Sequence, residues 1–191
     1  MTLNIDARPI NFSRTTITEL MIPSYANFGG KIHGGILLSL MDKVAYTCAS
    51  RHSGAYCVTV SVDTVDFLKP VAVGELVSLK ASINYVGTSS MVIGIKVISE
   101  DVKTGKYNHT NTSYFTMVDK DENDKPVAVP KLILETVTDL RRFVEAIYRR
   151  KLKADYGSNL KNIKSHWEEE NIDKLLKDHR CINRVDLDKL H

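Results

Sequence analysis

From Gly35 onward, apolar residues fall at positions 36, 37, 40, 41, 44, 45, 48 and 49, in pairs that recur every four residues. That spacing predicts a helix and not a strand. At about 100° per residue, Ser39, Lys43, Thr47 and Ser50 collect on one narrow side and leave most of the circumference apolar, so the helix is expected to be largely enclosed. The period then changes. VTVSVDTVDF (58–67), LVSLKASINYV (76–86), SMVIGIKVISE (90–100) and YNHTNTSYFTMV (107–118) are β-branched and aromatic, and predict four long strands. Pro70 and Gly74, then Gly87, then Lys103-Thr104-Gly105 mark the connections, and such short links predict an antiparallel meander. TTITELMIP (15–23) reads as one earlier strand, ended by Pro23.

A single greasy helix between an initial strand and a meander has only the sheet to cover it. The expected architecture is therefore α+β, an antiparallel sheet wrapped around a central helix. After the charged connector DKDENDKP, a second helical pattern is predicted from about Lys131 to Lys153, with Leu132, Val137, Leu140, Val144 and Ile147 at helical spacing, lying outside the sheet or on a neighbouring subunit. Residues 154–191, with a short helix around Leu175, read as a peripheral helical tail. The organisation expected is one domain over 1–130 and a helical extension over 131–191.

A chain of 191 residues with 43% hydrophobic and 26% charged composition fills one core and is short for two. MTLNIDARPINF carries no signal-peptide pattern and no window nears the ~18 apolar residues of a membrane span, so a cytoplasmic protein is expected. Cys48, Cys57 and Cys181 lie far apart and suggest neither a disulfide framework nor a zinc site. The net charge of +3 is local: residues 131–153 hold seven Lys/Arg against three acids, while the first 130 residues balance twelve against twelve. Phe143 and Tyr148 are the only aromatics among those cations, too few for a nucleic-acid stacking platform. Arg141, Arg142, Arg149 and Arg150 read as a solvated basic face able to attract phosphates.

The chain has no GxSxG, HExxH, P-loop or GxGxxG pattern, and its six histidines show no ligand spacing, so neither metal nor cofactor is expected. What stands out is NFGGKIHGGILLSLMD (27–42). Glycines at a helix start let a carbonyl approach unpaired N–H groups at the positive end of the dipole. Two turns further on, Asp42 lies off the polar side, with Leu38, Ala45, Tyr46 and Ala49 as its wheel neighbours. A carboxylate short of water there needs partners or a raised pKa, which suits a general base, a nucleophile or a buried hydrogen bond at a subunit interface. His33 reads as a helix cap or pocket-shaping residue.

PSYANFGGKIHGGILLSLMD, VDTVDFLKPVAVGELVSLKASINYVGTSSMVIGIKV and KPVAVP together resemble the hotdog-fold acyl-CoA thioesterases of the cytosolic acyl-CoA hydrolase type, over roughly residues 10–130. The resemblance implies hydrolysis of acyl-CoA to CoA and a carboxylic acid, without a cofactor, by a homodimer that assembles to a hexamer. It implies Asn27 and Asp42 as catalytic residues meeting across the dimer interface. It further implies that Gly34 and Gly35, with His33 beside them, hold the thioester oxygen, and that Gly87, Thr88, Ser89 and Ser90 approach CoA. Many such thioesterases carry Gly-Asn before the two glycines, where this chain reads Gly30-Lys31-Ile32-His33. The rival expectations are another hotdog chemistry, such as an enoyl-CoA hydratase, and an acyl-CoA-binding sensor without catalysis.

Overall fold

The computed structural model describes residues 6–169, 171–177, 179–182, 184 and 185, and the chain divides into two compact units, Met1–Ala146 and Ile147–His191. The first unit contains β1 (Ala7–Pro9), α1 (Ile10–Ser13), β2 (Thr15–Leu20), α2 (Gly34–Ser53), β3 (Tyr56–Val62), β4 (Leu76–Val86), β5 (Ser90–Asp101), β6 (Lys106–Lys120) and β7 (Lys131–Ile133). α3 (Val137–His166) starts in the first unit and continues into the second, which also holds a short 3₁₀ turn and α4 (Ile172–Leu176). α4 falls on the helix predicted around Leu175.

The five long strands form one antiparallel sheet in the order β2-β4-β5-β6-β3. β4, β5 and β6 are the predicted meander, but β3 is not part of it: β3 pairs with β6 at the far edge. The segment after β3 is too long for a hairpin. It leaves along β6, with Asp63 N–H donating to the Tyr114 carbonyl and Leu68 N–H to the Thr110 carbonyl, both at 2.9 Å. It then crosses to the other side, where the Val71 carbonyl accepts from Ile32 N–H at 2.9 Å. Regular pairing accordingly stops at Val62 and not at Phe67.

α2 has a defined start and stop. His33 Nδ1 accepts from Gly35 N–H at 2.9 Å, and Gly54, at φ 82°, ends the helix by donating to Ser50. Arg8 on β1 donates to the last carbonyls, of Arg51 at 3.0 Å and His52 at 2.7 Å, where a cation also suits the helix dipole. Leu37, Met41, Val44, Ala45, Cys48 and Ala49 are buried with Leu79, Ile83, Ile93, Ile95, Phe115 and Met117 of the sheet in one continuous core. Full enclosure of the helix does not hold, because one sheet covers only one side of it. Leu38, Asp42, Lys43 and Tyr46 are exposed in the single chain.

The second predicted helix begins later and runs further than its pattern suggested. Lys131–Ile133 pairs with Ala7–Pro9 as a parallel strand. The helix is started by Thr136 and Asp139, which exchange backbone-to-side-chain hydrogen bonds of 3.1 Å in a reciprocal cap. It then passes through Gly157 to His166. Among the described residues no helix is long and apolar enough to cross a membrane.

Candidate active site

Asp42 stands on the uncovered side of α2, eight residues past Gly34 and so about 12 Å along the helix axis from its start. Its Oδ1 accepts a hydrogen bond of 2.6 Å from Thr59 Oγ1 on β3. β3 has a register shift between Thr59 and Ser61, the kind of bulge that re-aims side chains at a sheet edge. Around the pair lies a cleft of about 470 Å³, lined by Tyr46, Tyr56, Val58 and Met117 among others, with the two tyrosine rings edge-on at 6.3 Å. The expected scarcity of water around Asp42 is not found within one chain. Ala45 and Ala49 are buried, but Leu38 and Tyr46 are exposed beside an exposed Asp42, because nothing in the chain lies over this strip.

Thr59 is the functional candidate that the sequence did not single out. In VTVSV it is one β-branched residue among several, and only the register of β3 beside α2 reveals that it meets the acid. Behind the cleft, Cys57 Sγ donates to Asp119 Oδ1 at 3.9 Å, and burial pushes both the thiol and the carboxyl above their ordinary pKa ranges. Burial also raises the Cys48 thiol to about 12, so neither buried cysteine is primed as a nucleophile.

Asn27 caps its own turn. Its Oδ1 accepts from Gly29 N–H at 2.9 Å and Lys31 N–H at 3.2 Å, while Gly30 takes a positive φ of 71°. Its side-chain NH₂ has no hydrogen-bond partner among the described residues, and no hydrogen bond joins it to Asp42 within the chain. Lys31 serves this turn through its backbone, its N–H donating to Asn27 Oδ1 and its carbonyl accepting from Asn27 N–H at 2.7 Å.

His33 is the N-cap, as its position predicted, and this occupies the Gly35 N–H. A Cβ at residue 35 would lie 3.0 Å from His33 Nδ1, so the cap itself calls for glycine there. The Gly34 N–H has no partner among the described residues; a Cβ at residue 34 would meet the Phe67 ring at 3.3 Å. In the β4–β5 turn, Gly87 N–H donates to Ser90 O at 2.7 Å, and the Thr88 and Ser89 carbonyls accept from Val129 and Asp119 at 2.9 Å. Ser90 pairs with Val118, which pairs with Val58, so the turn stands at the Thr59 end of the sheet, two strands or about 10 Å away. Among the described residues, no three His, Cys, Asp or Glu side chains are grouped to hold a metal.

The thioesterase superfamily matches residues 29–106, and the VdlD protein of Helicobacter pylori is 46% identical over 141 residues, 74% of this chain and 80% of that protein. The chain belongs to the thioesterase superfamily. Among solved structures, an apo-hexameric acyl-CoA thioesterase superposes on this superfamily member with a TM-score of 0.78 at 33% identity, covering 80% of this chain and 98% of that one. The fold is the hotdog fold. An acyl-CoA hydrolase of Staphylococcus aureus, solved with butyryl-CoA, CoA and CoA disulfide, gives a TM-score of 0.73 at 29% identity, covering 83% of this chain and 99% of its own. Structures of that hydrolase also exist with alanine in place of an asparagine, of an aspartate fifteen residues later, and of a threonine seventeen residues beyond that.

Proposed function

We propose that this chain hydrolyses acyl-CoA thioesters to free CoA and a carboxylic acid, at a site completed by a second copy of itself. The observation that carries the reading is the 2.6 Å hydrogen bond from Thr59 to Asp42 on an uncovered helix face beside an edge strand. Asn27, Asp42 and Thr59 reproduce the fifteen- and seventeen-residue spacing of the three positions replaced in the S. aureus hydrolase. The three residues would act together only if another chain brings its Asn27 turn to this chain's Asp42.

In this scheme Thr59 spends its proton on Oδ1 and fixes the carboxylate, leaving Oδ2 to draw a proton from water. The water oxygen bonds to the thioester carbon, the C–S bond breaks, and the proton passes to the departing sulfur. The partner's Gly34 N–H, at the start of its α2, and the partner's Asn27 amide face the developing oxyanion. His33 and Gly35 hold that helix start in place, and the turn Gly87, Thr88, Ser89 and Ser90 borders the path of the pantetheine arm. A thioester is activated, so this inventory needs no cofactor. The exposed side chains Leu38, Tyr46, Tyr56, Val60 and Val62 favour a homodimer through α2 and β3, and the likeness to a hexameric thioesterase supports further assembly of such dimers.

A binding-only sensor would retain the pocket but has no use for an aligned carboxylate–hydroxyl pair. CoA release followed with a thiol-reactive dye across acyl-chain lengths decides between the two. Turnover by wild type that is lost in Asp42→Ala and Asn27→Ala supports hydrolysis; acyl-CoA binding without release at any chain length supports the sensor.

A further inference from the structure

Residues 148–167 read YRRKLKADYGSNLKNIKSHW. They cover the later part of α3, which runs through His166, and Trp167, which opens the 3₁₀ turn after it. At about 100° per residue, Tyr148, Leu152, Tyr156, Leu160, Ile163 and Trp167 fall within one arc of about 120°. Every large apolar or aromatic side chain of the stretch lies on that arc, and it forms a strip about 30 Å long. Tyr148, Leu152, Tyr156, Ile163 and Trp167 are 42–67% exposed, and Leu160 is half-buried. A continuous exposed strip of this kind, rimmed by polar residues, marks a binding surface.

Charge is a separate observation. The same stretch holds Arg149, Arg150, Lys151, Lys153, Lys161 and Lys164 against Asp155 as its one acid. Around the helix, Lys153 and Lys164 border the strip on its Leu160 side, with Arg150 and Lys161 next to them, and Lys151 lies beyond the Tyr148 side. All five are exposed.

A partner has to satisfy both features at once. A second copy of the helix laid on the strip would set two segments against each other that each carry this same cationic excess, and like charges repel. A nucleic acid would meet the cations and leave the strip in water. A bilayer with anionic headgroups meets both, because acyl chains cover the strip while the Lys and Arg stems reach up to the phosphates. Tyrosine and tryptophan rings suit that depth, at the boundary of headgroups and chains. The helix is not long and apolar enough to cross the bilayer, so the geometry is that of a helix lying in its surface. We propose that residues 148–167 dock this chain on an anionic lipid surface. The proposal does not depend on the chemistry at Asp42.

Trp167 is the only tryptophan of the chain, so its emission reports directly on the strip. The test mixes the full chain with vesicles of phosphatidylcholine alone, or of phosphatidylcholine with an equal share of phosphatidylglycerol, and follows tryptophan emission and co-sedimentation. Wild type is expected to bind the phosphatidylglycerol vesicles about tenfold or more above phosphatidylcholine alone, with blue-shifted emission, and to come off in raised salt. Leu152→Glu/Ile163→Glu, on the strip, and Lys153→Glu/Lys164→Glu, on its border, should each lower that binding about tenfold or more. Ala154→Gln, on the opposite side of the helix, should leave it unchanged. All of these replace exposed side chains, so Tm is expected to hold. Failure of wild type to bind the phosphatidylglycerol vesicles overturns the proposal. So does equal binding to phosphatidylcholine alone, binding with unshifted emission, or binding that survives in either double variant. If Leu152→Glu/Ile163→Glu instead shifts the lipid-free chain to a smaller assembly in analytical ultracentrifugation, a second copy covers the strip and the proposal falls.

Discussion

The roles proposed for Asp42 and Thr59 are separable, and kinetics distinguish them. Replacing the carboxylate in Asp42→Asn removes the proton acceptor and is expected to lower kcat by roughly a hundredfold to ten-thousandfold. Thr59→Ala leaves the acid present but loses the hydroxyl that aligns it. A hydrogen bond to a charged group contributes about 1.5–3 kcal/mol, so a fall in kcat of about ten- to a hundredfold with little change in KM is expected. Thr59→Ser, which keeps the hydroxyl, should recover most of the activity. His52 gives a residue-scale prediction about stability. It is buried, donates Nε2–H to the Pro130 carbonyl at 3.1 Å, and burial holds its pKa below the ordinary 6.5. The unfolded chain therefore takes up a proton, as pH falls below about 6.5, that the folded imidazole resists. This contribution to stability is complete above that pH and declines below it. Thermal melts should show Tm falling on acidification through this range, and a shallower fall in His52→Gln, which keeps a donor for Pro130 but does not titrate.

At the scale of elements, β3 matters most and was least readable. The repeating apolar pairs of α2 and the β-branched runs of β4, β5 and β6 were legible because each is a local pattern that matches its own period. The place of β3 is set by a crossing segment whose hydrogen bonds to β6 and to Ile32 no periodicity encodes, so the sequence suggested a hairpin neighbour where the chain has a far edge. The Asp42–Thr59 contact was hidden for the same reason: it joins a helix to a strand seventeen residues away, through a register that only the folded sheet fixes. Asn27, by contrast, was visible in the family pattern, and its turn geometry explains why an Asx residue stands there. β3 is exposed along Tyr56, Val60 and Val62 at an unpaired edge, a combination that proteins protect by pairing or covering. Val60→Glu should therefore leave the monomer folded while shifting the assembly toward smaller species in analytical ultracentrifugation, and activity should fall with it.

At the scale of the whole molecule, the two sides of the sheet hold different chemistry. The core under α2 holds Asp42 on an uncovered helix face, while the opposite face presents Lys80, Lys96 and Asn84 to a cavity of about 620 Å³. The central claim is that each catalytic site takes Asn27 from one chain and Asp42 from another. The direct test is to co-refold two inactive variants, Asn27→Ala and Asp42→Asn, and assay CoA release from the mixture. In a mixed dimer one site receives both mutant residues and the other receives neither. Random pairing makes half the dimers mixed, with one intact site in each, so about a quarter of wild-type activity should return. Activity no greater than the sum of the two variants measured separately, with mixed dimers shown to be present, would contradict a shared site.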